Sequence, residues 1–171
     1  MLRQRPTAID LLRTRCIDAY DLVEQSPSAA AWAAYMQTTY ADKLLAADPK
    51  LHDGTIDVVS AAYASAAACL DVARGGGGSV PDAPPHWRTP IRSNEQLAGM
   101  RDALEALRTY LAYELHDENA TALARIDAER AKVERLWIRR PPPEIRGAIG
   151  SALAIGLDAA YALGRETFAS R

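Results

Sequence analysis

Two short stretches carry the residues best suited to chemistry. "IDAYDLVE" sets Asp18, Asp21 and Glu24 three residues apart, and "YELHDEN" gathers Glu114, His116, Asp117 and Glu118 much further along the chain. Acidic groups on two separate helices can hold Mg²⁺, which accepts a few carboxylates and keeps several of its waters. The candidate metal ligands are therefore Asp18, Asp21, Glu114 and Asp117, and the chemistry would be Mg²⁺-dependent phosphohydrolysis. Glu114 and Asp117 have the ExxD spacing, but no pair of glutamates accompanies them, and a solvated helix face explains the same acids.

Other catalytic settings are missing. A di-iron site needs a Glu-x-x-His pair on each of two helices, and none of His52, His86 and His116 lies three residues after a glutamate. A lone loop histidine such as His52 or His86 is expected to be solvated. Cys16 and Cys69 have neither metal-ligand nor CxxC spacing and fall at apolar helical positions, so both are expected as buried thiols. "RGGGGS" lacks the Gly-Lys-Ser/Thr ending of a phosphate-binding loop and follows a helix rather than a strand.

"RAKVERLWIRRPPPEIR" is the basic segment. Lys132, Arg135, Arg139 and Arg140 are its candidate nucleic-acid contacts, with Arg130 and Arg146 on either side and Trp137 as a stacking aromatic. Glu129, Glu134 and Glu144 interrupt it, and arginines at a helix C-terminus are stabilising in their own right. A net charge of −2 argues against a surface built throughout to attract phosphates.

The elements that must position these residues read as helices. Of 171 residues, 49% are hydrophobic. Alanine supplies 34 of the 171 and Phe only one, which favours an all-α fold. Thr7 with Asp10 three residues on is a capping pair for a first helix, whose stripe is Ile9, Leu12, Cys16, Ala19 or Tyr20, and Val23. Ser26 and Pro27 open a second helix that stops before Asp48-Pro49, with Trp32, Met36, Tyr40 and Leu44 on its buried side. The third spans about 55–73 on Ile56, Val59, Tyr63, Ala66, Leu70 and Ala73, the spacing of an antiparallel bundle or coiled-coil seam.

Ser93 and Gln96 form a capping box before the strongest pattern in the chain: Leu97, Met100, Leu104, Leu107, Leu111, Leu115, Ala122, Ile126, Val133 and Leu136. It predicts one very long fourth helix over 94–138, ~65 Å at 1.5 Å per residue, with two helices broken near "HDENAT" as the alternative. "RRPPPE" ends it. A fifth helix over about 144–168 is apolar nearly all round from Gly147 to Gly164, where Asp158 is the only charge. Gly156, Ala160 and Gly164 lie four apart on it, where another backbone can come close. A membrane span is disfavoured by its Ala/Gly content and the aspartate.

Between the third and fourth helices lies "RGGGGSVPDAPPHWRTP", a Gly/Pro-rich crossover loop over 74–92, flexible first and stiff afterwards. Seventeen arginines against three lysines suit a GC-rich bacterial genome, in which a glycine run arises naturally; an engineered Gly4Ser insert reads the same. Trp87 is expected to dock on the bundle or on a partner.

These readings describe a single antiparallel helical bundle of about five helices, 1–171. No apolar run of signal-peptide length follows the basic N-terminus, so a cytoplasmic location is expected. The expected function is a non-catalytic protein–protein interaction or assembly module, with self-association as a homodimer and an unidentified protein partner. Its interface residues are Ile126, Val133, Leu136, Trp137 and Trp87, because the second half of the long helix needs something to cover its apolar stripe. The alternatives are the Mg²⁺ phosphohydrolase and nucleic-acid binding.

Overall fold

A computed structural model describes residues 7–52, 54–115 and 120–169. Among them the chain is all-helical, without strands. The elements are α1 (Ala8–Cys16), α2 (Ala19–Gln25), α3 (Ala29–Ala47), α4 (Thr55–Ala73), a short 3₁₀ turn (Pro85–Arg88), α5 (Asn94–Leu115), α6 (Ala120–Leu136) and α7 (Pro143–Ala169).

Local chemistry accounts for most of these boundaries. The Thr7 hydroxyl accepts from the Asp10 N–H at 3.2 Å while Asp10 accepts from the Thr7 N–H at 3.0 Å, a complete capping box at α1. The first amphipathic pattern is broken at Ile17–Asp18, yet Ile9, Cys16, Ala19 and Val23 all still reach the core. α3 is capped by Ser28, whose Oγ accepts from the Ala31 N–H at 3.0 Å, rather than by Ser26. At α5 the Ser93 Oγ caps Gln96 at 3.0 Å, but the Gln96 side chain accepts from the Arg92 N–H at 3.2 Å instead of completing the box on Ser93.

α3 is the centre of the packing. It lies against α2, α4, α5 and α7, and is buried on more sides than its aromatic stripe alone requires. Alanines permit this, because helices with small contact residues approach closely. Where α5 crosses α3, a Cβ on Gly99 would stand 2.8 Å from the Leu44 backbone. Where α7 crosses it, a Cβ on Gly164 would stand 2.0 Å from the Trp32 ring. Trp32 stacks on Phe168 with centroids 5.4 Å apart and donates its indole N–H to the Tyr161 carbonyl at 3.1 Å. The small-residue strip of α7 thus serves contact inside the fold.

The very long fourth helix and the count of about five are both corrected. α6 runs back antiparallel to α5: Arg101 pairs with Glu134, Arg108 with Asp127, and Arg130 with Glu105. In one continuous helix Arg101 and Glu134 would stand ~50 Å apart. The physical reason is the apolar stripe itself. Leu123, Ile126 and Val133 are buried, and α6 packs on α7, so the chain covers this stripe by folding back on itself. Residues 116–119, within "HDENAT", lie outside the described residues.

α4 and α7 are each long and apolar enough to cross a membrane by length and composition. About half of each apolar window, 44% and 50%, is buried within the fold.

Residues 75–79, at the start of the crossover segment, are exposed, and its later part is packed on the helices. Gly75 and Gly78 have φ of +89° and +124°, which L side chains rarely adopt, and a Cβ on Gly76 would stand 2.7 Å from the Asp71 carbonyl oxygen. Three of the four glycines therefore answer a geometric demand of the turn. Further on, the Pro81 carbonyl accepts from the Tyr161 hydroxyl at 2.6 Å, and the 3₁₀ turn inserts His86 and Trp87 between α3, α4 and α7.

Candidate functional site

Trp87 is 1% exposed, so its expected docking takes place on this chain. Its indole N–H donates to Asp158 at 2.6 Å, and Arg88 donates to the other oxygen of the same carboxylate. Asp158, the one aspartate of α7, is therefore paired, and it latches the crossover segment onto α7. Beside this latch lies a cleft of about 580 Å³, lined by residues 87–91 on one side and by the first four turns of α7 on the other. Its floor is apolar or small, with Ile91, Gly150, Ala154 and Ile155; its charged groups are Arg88, Arg146 and Asp158. The Nε of Arg146 is buried and has no hydrogen-bond partner among the described residues.

A second groove, of about 320 Å³, lies on the other side of α7 and faces α6. Ser151 and Ile155 line both depressions and so form the ridge between them. Leu136 and Ile155 are exposed there, by 37% and 41%. Lys132 at the rim is paired with Glu129 at 3.0 Å.

Two other polar clusters bind the helices together. Asp42 accepts from the Tyr20 hydroxyl at 2.5 Å, from the Tyr63 hydroxyl, and from Arg13 at 3.3 Å, joining α1, α2, α3 and α4. Burial, and then the Asp42 carboxylate, push both tyrosines above their ordinary range, so they stay protonated donors. A depression of about 260 Å³ adjoins them, but both carboxylate oxygens are engaged and the Thr14 and Thr38 hydroxyls lining it donate to the Asp10 and Ala34 carbonyls. Cys16 and Cys69 are buried free thiols, and burial pushes Cys16 up to about 11, which leaves it inert as a nucleophile.

The second cluster is a buried chain through the crossover segment. His86 Nε2 lies 2.9 Å from Gln37 Oε1, while the Gln37 amide donates to the Ala33 carbonyl at 3.1 Å. His86 was expected to be a solvated loop residue; it is 8% exposed, and burial pushes its pKa down to about 4. A histidine whose folded pKa lies below its unfolded value of 6.5 takes up its proton first in the unfolded chain. Stability is then full above that value and falls as pH drops from it toward 4. The expected loss between about pH 7.5 and pH 4.5 is on the order of 2 kcal/mol. Urea unfolding at the two pH values, on wild type and His86→Gln, measures it; an equal slope in the variant would remove His86 as the cause.

The sequence-derived candidates are scattered in the fold. Asp18 is exposed and paired with Arg74 at 2.8 Å; Asp21 is exposed on α2; Glu114 lies near the end of α5; and Asp117 lies outside the described residues. Among the described residues no group of three or more His, Cys, Asp or Glu is arranged to hold a metal ion. Of the basic segment, Lys132 and Arg130 are engaged by acids, whereas Arg135, Arg139 and Arg140 are exposed around the end of α6. Of the interface candidates, Ile126, Val133 and Trp87 are covered by this chain itself, a correction to the premise that a partner must cover them. Trp137 is half-buried with the Arg101 guanidinium 4.2 Å above its ring, and Leu136 remains at the surface.

No protein-family model matches this chain, and no curated protein or solved structure matches it either. The cleft beside Asp158 was not legible as a site in the sequence. The only signals were the lone aspartate of an apolar helix and a tryptophan in a Gly/Pro-rich loop.

Proposed function

We propose that this chain is a non-catalytic helical-bundle assembly module that pairs with a second copy of itself through the α6–α7 face. The observation that carries the reading is the exposed apolar pair Leu136 and Ile155 beside a groove lined also by the small residues Ala148 and Ala152. Small lining residues let a helix come near, and a ridge beside a groove is a self-complementary relief: under two-fold symmetry the Ser151–Ile155 ridge of each copy seats in the groove of the other. At the rim Lys132 is neutralised by Glu129, which leaves Arg135, among the described residues, as the one unpaired charge lining the groove.

Light scattering over a range of concentrations tests this on wild type, Ile155→Arg and Leu136→Glu. The expected wild-type mass is twice the 18.5 kDa of one chain, falling to one chain in both variants. A wild-type mass of one chain at every concentration, or a dimer unaffected by both substitutions, would remove the proposal. Both residues are over a third exposed, so the variants should retain wild-type melting of the isolated chain.

A further inference from the structure

The cleft between the crossover segment and α7 is a different surface from the α6–α7 groove, although the two share the Ser151–Ile155 ridge. Its volume of about 580 Å³ falls in the range of small-molecule sites, which combine an apolar lining with a few convergent polar groups. The apolar part here is Pro90, Ile91, Ala154 and Ile155. Of the ionic groups, Arg88 is already bonded to Asp158. Two guanidiniums and one carboxylate leave a single uncompensated positive charge, and it belongs to Arg146. The Arg146 side chain lines the cleft, and its Nε is buried with no acceptor among the described residues.

We propose that this cleft binds a small amphiphilic monocarboxylate, with its carboxylate on the Arg146 guanidinium and its apolar body over Ile91, Ala154 and Ile155. The planar fork of an arginine matches a carboxylate, so one side chain is enough to hold it. A phosphate dianion fits less well, because Arg146 supplies one positive charge and Arg88, the other guanidinium lining the cleft, is already bonded to Asp158.

The test is calorimetric titration of the full chain with octanoate, 1-octanol and inorganic phosphate. Octanoate is expected to bind saturably, one per chain. Both 1-octanol on wild type and octanoate on Arg146→Gln should bind roughly tenfold more weakly or worse, the size expected for losing a charge-assisted hydrogen bond. Inorganic phosphate should give no saturable heat. A second variant, Gly147→Leu, fills the cleft from its wall at a position where an added Cβ meets nothing within 4 Å. It should abolish octanoate binding while leaving thermal melting at least as high as wild type. No saturable octanoate heat, equal affinity for octanoate and octanol, octanoate binding unchanged in either variant, or saturable binding of phosphate alone would each overturn the assignment. Light scattering of the same samples shows whether the chain is a dimer, so failure of the ligand reading is distinguishable from failure of the self-association reading.

Discussion

Gly164→Ala is expected to destabilise the fold by about 3 kcal/mol or more, the upper range for forcing atoms into a packed core. The added methyl would lie 2.0 Å from Trp32 Cε2 and 2.2 Å from its Nε1, so one partner must move. Trp32 has nowhere to go. It is 0% exposed, packed against both Phe168 and Tyr110 at centroid distances of 5.4 Å and 6.1 Å, and tied to the Tyr161 carbonyl. Moving α7 instead would break its crossing with α3. Gly147→Ala is the matched control, since its site is open and replacing a helical glycine by alanine gains roughly 0.5–1 kcal/mol. Urea unfolding of the two variants should move in opposite directions, and a Gly164→Ala variant within about 1 kcal/mol of wild type would contradict this account of the crossing.

Trp87→Ala should cost about 3–5 kcal/mol, the usual range for removing a buried aromatic. The indole fills a space between Tyr40, at a centroid distance of 5.5 Å, and Tyr161, at 6.0 Å. Its N–H supplies one of the two side-chain bonds to the Asp158 carboxylate. Losing it removes both the packing and half of the latch, so the crossover segment should become cleavable by protease at concentrations that spare the wild type, while helical circular dichroism persists in the folded fraction. Asp158→Asn keeps an acceptor for the indole and should be milder. Equal protease resistance in Trp87→Ala and wild type would mean that the segment is held elsewhere, and the Tyr161–Pro81 bond would become the next to remove.

These two sites mark where the sequence was readable and where it was not. The bounds of α4, the Thr7 capping box and the extent of α7 follow from local rules, because caps, prolines and apolar spacing act within a few residues. The cap of α3 falls at Ser28 instead of Ser26 because α2 runs to Gln25 and Ser26 serves as its C-cap. The periodicity of 97–136 is the same for one helix as for two, since it records which face is covered and not what covers it. His86 and Gln37 lie 49 residues apart, Trp87 and Asp158 lie 71 apart, and no local pattern reports such pairs. The Arg146 cleft is harder still to see in advance: the residue stands out in sequence only as one more arginine of a basic segment.

The seating of Trp32 also has a consequence in time. Its ring, near the start of the chain, rests on Gly164 and Phe168 and bonds to Tyr161, 129 residues away. As the polypeptide leaves the ribosome, α3 and α4 can pair early, but the large apolar ring at their side stays uncovered until the segment of residues 161–168 has emerged. A nascent chain that has released α3 but not residues 161–168 therefore carries an apolar surface that α7 closes, and a chaperone bound to chains stalled in that interval should leave when α7 is released.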